Sequence, residues 1–322
     1  MATIAYGIST ATAAECRAPQ MVTGLLLHDL SAYHRRARMS VSSAFSLDTG
    51  IGIIQIVPGS AADRAGLHID DEILSVDGIS VEDPEAMSRP RRSSRRVEKF
   101  TRVLQSALRD GPAQLTVRRQ GAIVKKTLAP QLGCGGEVAL LKSRRLNAWS
   151  DGDRVIVTTS MMKLARSDHE LAFVIAHEMA HNNLGHSEHS SRGIFGIKLG
   201  GKRQELAADY MAVWLMTQGG YKAEGGIGFL SSARRRLWWN MSLDHPGFGR
   251  RIKHVAGAIK SAEGSPVWER AHSKAPDTQA ADVPQGQALA LGPTPLPQLN
   301  PPPGDPIAPE KRPEVSADRG GP

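Results

Sequence analysis

An α+β chain is what this sequence predicts, with a small β-rich module placed ahead of a mainly helical one. Three observations carry the expectation. Between about residues 40 and 131, short apolar runs alternate with Pro-Gly and Asp-Gly turn dipeptides. Across residues 168–185 and 203–216 the apolar residues recur instead at helical spacing. From about residue 275 the composition shifts to a segment with more than half of the chain's 20 prolines and almost no aromatic side chain. The expected boundaries are an N-terminal segment 1–39, the β-rich module 40–131, the helical module 132–272 and a tail 273–322. Such a tail buries too little apolar surface to offset its ordering entropy, so disorder or partial polyproline II is expected there.

Length and composition set the outer limits. A chain of 322 residues with 40% hydrophobic residues has room for about two cored domains. No stretch reaches the roughly 18 to 20 apolar residues of a membrane span, so no integral span is expected. The net charge of +8 is concentrated in "HRRARM" (34–39), "SRPRRSSRR" (88–96) and "ARRR" (233–236). With no nucleic-acid motif or interleaved aromatics, these runs are read as solvated loops and helix faces, and no nucleic-acid partner is expected. Cys16 and Cys134 are too few for a disulfide scaffold. They suit one bridge in an oxidising compartment or two separate thiols in a reducing one. The small residues of "MATIAYGISTATAAEC" resemble the end of a secretory signal, here without a basic start. The segment is read as a signal remnant or a floppy terminus, with export favoured and a periplasmic or secreted location expected.

In chain order, "GIGIIQIVPGS" (50–60) reads as a strand entering a Pro-Gly turn, and "AADRAGL" (61–67) as a short helix closed by Gly66. "DEILSVDGISV" (71–81) reads as strand, Asp-Gly turn, strand. "VEKFTRVLQSAL" (97–108) is helical, and "AQLTVRRQGAIVKKTLAP" (113–130) is a hairpin about Gln120-Gly121. The succession of "PGSAADRAGL" and "DDEILSVDGISV" resembles a PDZ domain of the kind carried by bacterial proteases. That resemblance implies capture of a peptide C-terminus as an added strand, with "MSVSSAF" (39–45) the nearest stretch to a carboxylate-binding loop.

"FVIAHEMAHNNLGH" (173–186) carries the chemistry. Leu171, Val174, Ile175, Ala176, Met179 and Leu184 form an apolar face. His177 and His181, one turn apart, present two imidazoles to a common point. Glu178 follows the first of them and can take a proton from water without being a ligand. Zinc needs a third protein ligand. A histidine six residues after His181 would supply one in another zinc-peptidase class, but Ser187 stands there, and His186 and His189 follow Gly185 and read as loop histidines. On the next helix, "RQELAADYMAVWLM" (203–216), Glu205 and Asp209 share a face. Glu205 would complete the ligand set and Asp209 would accept from a ligand histidine's other nitrogen.

The series "NAWSDGDRVIVTTSMMKLARSDHELAFVIAHEMAHNNLGH", "ELAAD" and "DHPGFGRRI" is similar to the gluzincin family that includes HtpX and the CAAX prenyl proteases. The resemblance implies a mainly helical zincin-type metallopeptidase domain with a small β-hairpin or edge strand, holding one zinc ion per chain. It implies that His177, His181 and Glu205 hold the ion and that Glu178 is the catalytic base. Asn147-Ala148 would open the substrate strand, and His245, in His245-Pro246, would face the site as an oxyanion stabiliser or a fourth ligand, with Arg251-Ile252 following. The activity implied is endopeptidase cleavage of protein substrates in cell-envelope quality control. The alternative is a catalytically silent PDZ scaffold with a structural zinc.

Overall fold

Residues Ala2–Ala11 form helix α1, and its two faces serve two different cores. Ile4, Ala5 and Ile8 pack among the buried residues of the helical module. Ala2 and Tyr6 instead meet Val57 of the β-rich module, with Val22 and Leu26 alongside. The stretch read as a signal remnant is therefore core, and Ile8 is fully buried. The computed structural model describes residues 1–135, 137–150, 154–186, 201–237 and 247–263, all within the compact unit Met1–Ala288. The expectations for His245, His189 and the tail 273–322 lie outside the described residues.

After α1 the chain makes strand β1 (Pro19–Met21), then enters the β-rich module with β2 (Leu25–His28). Helix α2 (Arg38–Phe45) follows. The stretch read as the nearest thing to a carboxylate-binding loop is thus helical. Strands β3 (Ile51–Ile56), β4 (Glu72–Val76), β5 (Ile79–Ser80), β6 (Ala113–Arg119) and β7 (Ala122–Leu128) complete an antiparallel sheet ordered β2-β3-β4-β6-β7, with β5 paired to β4. Between β3 and β4 lies the short helix α3 (Ala61–Arg64), which Ser60 caps by accepting from the Asp63 amide. Both hairpin turns stand where the sequence puts them. Asp77-Gly78 and Gln120-Gly121 hold positive φ at both central positions, the twist a two-residue hairpin needs.

One long helix, α4 (Arg95–Asp110), closes the module. Phe100, Leu104 and Leu108 recur every fourth residue and bury against Ile51, Ile53, Ile73, Val76, Leu115 and Val117 from the sheet. Strand β8 (Leu132–Cys134) then returns to pair with β1, and the disulfide Cys16–Cys134 closes beside that pair.

The second module opens with β9 (Glu137–Leu141), β10 (Ala148–Ser150) and β11 (Arg154–Thr158). β11 lies between β9, which runs parallel to it, and β10, which runs antiparallel, so β10 is an edge strand. The helices are α5 (Thr159–Leu164), α6 (Asp168–Asn183), α7 (Gly201–Gln218), α8 (Glu224–Leu237) and α9 (Phe248–Ala262). Helix α6 packs against α1, α7, α8 and β10, which makes it the central element. Its buried residues run from Glu170 to His177 without a break and resume at Met179. A helix enclosed on nearly every side has to be apolar on nearly every side. Helix α8 comes close because it has glycines at the contact: a Cβ on Gly226 would sit 2.7 Å from the Phe173 ring.

Candidate metal centre

Ser167 starts α6 by accepting from the Glu170 amide, and acidic Asp168 and Glu170 occupy the helix's positive end. Three turns on, His177 and His181 point the same way, with Nε2 atoms 3.2 Å apart. Helix α7 crosses here and brings Glu205 to both rings. Its Oε2 lies 3.4 Å from His177 Nε2 and its Oε1 3.4 Å from His181 Nε2. Among the described residues, these three form the group of side chains able to hold a metal ion.

The dimensions of that triangle test the fit. Tetrahedral zinc with bonds of about 2.0–2.1 Å requires ligand atoms about 3.3–3.4 Å from one another. The two Nε2 atoms stand 3.2 Å apart, and each lies 3.4 Å from its own oxygen of Glu205, separations of that size. The charge also suits a dication, since three carboxylates (Glu178, Glu205, Asp209) act on the Arg251 guanidinium. Among the described residues three ligands are offered, whereas a tetrahedral ion takes four.

Behind the triangle sits a buried ionic layer. One turn beyond Glu205 on α7, Asp209 is fully buried and places Oδ1 3.1 Å from His177 Nδ1. Arg251, from α9, grips the same carboxylate twice: Nε donates to Oδ2 at 2.8 Å and Nη2 to Oδ1 at 2.6 Å. Its Nη1 also lies 3.6 Å from Glu205 Oε2. Burial works against a charge on His177, but hydrogen bonds to Asp209 and Glu205 outweigh it and raise the pKa to about 9. Burial likewise opposes ionisation of Asp209, and the neighbouring Arg251 and His177 overturn that and hold its pKa low. Arg251 is kept charged against its own burial by Asp209.

Glu178 is half-buried beside His177, close enough for its charge to act on Arg251. Asn147 and Ala148 lie at the start of β10. The Asn147 carbonyl accepts from the Thr158 amide, and Ala148 pairs with Val157. This edge strand rests against α6, the helix that carries both histidines. The structure thus brings His177, His181, Glu205 and Asp209 together, with Glu178 next to them.

Two contributors escaped the sequence reading. Arg251 stood out only as part of a resemblance, and nothing local shows that it pairs with Asp209 across 42 residues. His186 was read as a loop histidine. It is outside the ligand triangle, yet its Nδ1 lies 3.0 Å from His181 Nδ1.

A paired-histidine helix crossed by a second helix bearing a glutamate, behind a strand-rich peptide-binding type of module, defines a metallopeptidase-like protein with an accessory domain. The family comparisons agree. Residues 122–197 match the model of Peptidase family M48, residues 169–271 that of Peptidase U49, and residues 34–89 that of the PDZ domain. The first two matches point to an M48-like protease and the third to a PDZ domain near the N-terminus, each over less than half of the chain. No curated protein matches it at a significant level. Among solved structures, it is similar to the HtrA3 PDZ domain bound to a phage-derived ligand, at 18% identity over 36% of this chain and 88% of that one, with a TM-score of 0.25. It is also similar to the HtrA-type protease AlgW with a decapeptide, at 18% identity over 35% of this chain and 30% of that one, with a TM-score of 0.27. The PDZ assignment rests on the family model and on the sheet described above, not on these two likenesses.

Proposed function

We propose that the chain is a zinc-dependent endopeptidase that cleaves protein substrates in the cell envelope. The observation that carries the reading is the convergence of His177, His181 and Glu205, whose donor atoms stand about as far apart as zinc ligands do. A zinc ion held there would supply Lewis acidity towards the scissile carbonyl and ease deprotonation of water. Glu178 accepts the proton of the attacking water and returns it to the leaving amine. Asp209 holds the His177 ring by accepting from Nδ1–H, and Arg251 keeps Asp209 ionised. The substrate lies extended along the free edge of β10, paired as an added strand. The PDZ domain takes a peptide C-terminus in the same manner at a second place on the chain. A periplasmic or secreted location is supported by the disulfide Cys16–Cys134, since such bonds persist in oxidising compartments.

The test is metal analysis paired with a casein cleavage assay on wild type and Glu178→Gln. The wild type is expected to bind one zinc per chain and to cleave. The variant is expected to keep the zinc and lose about 10²–10⁴-fold in rate. Undiminished cleavage by Glu178→Gln would end this assignment.

A further inference from the structure

We infer that His186 is a positioning residue of the metal centre, holding the His181 ring as Asp209 holds that of His177; this rests on the metallopeptidase reading above. The argument starts from how α6 ends. Gly185 takes φ +69°, a left-handed conformation that costs glycine nothing. With it, the Gly185 amide bonds to the Asn182 carbonyl and the His186 amide to the His181 carbonyl, both at 3.0 Å. These two bonds are those of a Schellman cap. The cap does more than stop the helix. It folds the residue after the glycine back over the residue five positions earlier, and that residue is His181.

The side chains complete the contact. His186 Nδ1 lies 3.0 Å from His181 Nδ1, with the rings edge to face and their centroids 5.0 Å apart. His181 points Nε2 at the triangle, so that nitrogen must offer a lone pair to the ion. In a neutral imidazole the hydrogen then sits on Nδ1. His186 Nδ1 is placed to accept it and carries its own hydrogen on Nε2. Metal-ligating histidines generally need such an acceptor to fix tautomer and ring angle. His177 has a carboxylate for the purpose and His181 has an imidazole. The local pattern His-x-x-x-Gly-His encodes the arrangement, because the glycine makes the turn and the last histidine is the acceptor.

The test uses the full-length chain, zinc ion alone as probe, and competition against a chromophoric chelator. His186→Ala should weaken zinc binding about tenfold or more. His186→Asn, whose Oδ1 replaces the imidazole Nδ1 as acceptor, should recover most of that loss. The thermal midpoint of chelator-treated protein should be the same for the two variants. Wild type that takes up no zinc overturns the metallopeptidase reading and this inference with it. Wild type that binds, with His186→Ala binding equally tightly, overturns this inference alone. Equal losses in Ala and Asn also overturn it, because an acceptor at this position would then not be what holds His181.

Discussion

Two buried histidines, one in each module, have opposite electrostatic fates. His28 ends β2 of the PDZ sheet, 5% exposed, and His177 sits in α6, 7% exposed. His28 touches the Tyr33 hydroxyl through Nδ1 at 2.8 Å and the edges of the Tyr33 and Phe45 rings, and its Nε2 has no partner among the described residues. Burial drives its pKa down, and the charges of Asp29 and Asp70 only soften the effect. His177 is no less enclosed, yet two carboxylates in contact raise its pKa to about 9. Burial alone therefore does not decide what an imidazole becomes; what it touches does. A neutral phenol leaves His28 a packing group, whereas Asp209 and Glu205 hold the His177 ring between two charges.

The buried acids show the same division. In the PDZ domain Asp71 is gripped by Arg119, Glu72 by Arg118 and by the amides of Asp48 and Gly50, and Asp29 by Arg96. Those carboxylates are satisfied by guanidinium and backbone. In the second module Arg251 takes up Asp209 but only approaches Glu205, whose oxygens face imidazoles instead. One network is complete as it stands, and the other is arranged around a point between its side chains.

The most severe way to break the comparison is to give His177 the surroundings of His28. Asp209→Asn removes the charge behind the ring and leaves Arg251 buried with only the more distant carboxylates of Glu205 and Glu178. Zinc affinity should fall about 10–100-fold, read by chelator competition. Folding stability should fall by about 3 kcal/mol, read by urea denaturation, since a stranded buried charge is the costly outcome. Unchanged affinity in this variant would show that the carboxylate is not what separates the two histidines.

Next in size is the tie between the modules. The disulfide Cys16–Cys134 spans 118 residues and closes where β1 and β8 pair. Replacing both cysteines by serine should cost about 2–4 kcal/mol, the usual range for a native bridge. Urea transitions monitored separately for each module would sharpen the contrast. A shared transition that splits in two without the bridge would show that the bridge, rather than the α1 contacts, makes them unfold together.

Most of this was legible because it is local. Hairpin turns, the spacing of Phe100, Leu104 and Leu108, and the paired histidines of α6 each lie within one element, where periodicity and turn chemistry act. Glu205 and Asp209 were reachable because helix geometry puts them on one face. Arg251 was not, because its role depends on α9 meeting α7 in three dimensions. Nor was α1. A run of small and apolar residues at a chain start suits a signal remnant and a two-faced core helix equally, and only packing tells them apart.

A smaller effect should appear in acid. The folded pKa of His28 lies below the unfolded value near 6.5, so the unfolded chain binds the proton more readily. The resulting stability is fully present above pH 6.5 and is lost as the pH falls through it towards the folded value. His28→Gln keeps a partner for Tyr33 and cannot titrate in this range. The difference in urea midpoint between wild type and variant should shift against the wild type as the pH falls from 7 to 5. A flat difference would mean that His28 takes up a proton as readily in the fold as out of it and is no counterpart to His177.

The smallest expected effect tests whether the two modules are electrostatically separate. Arg154, first residue of β11, donates to Glu98 of α4 at 2.8 Å, and Ser94 donates to the same oxygen at 2.7 Å. The hydroxyl and the guanidinium together lower the Glu98 pKa. Both charged side chains are about one-third exposed, at 33% and 27%, so water screens the pair. A double-mutant cycle with Glu98→Ala and Arg154→Ala should return a coupling of about 0.2–1 kcal/mol. It should shrink further in high salt, and zinc affinity should not move, because neither residue touches the ligand triangle. A coupling above about 2 kcal/mol would be outside what an exposed pair can supply. It would mean that α4 and β11 form a single ionic unit, so that occupancy of the PDZ domain reaches the strand beside β10 directly.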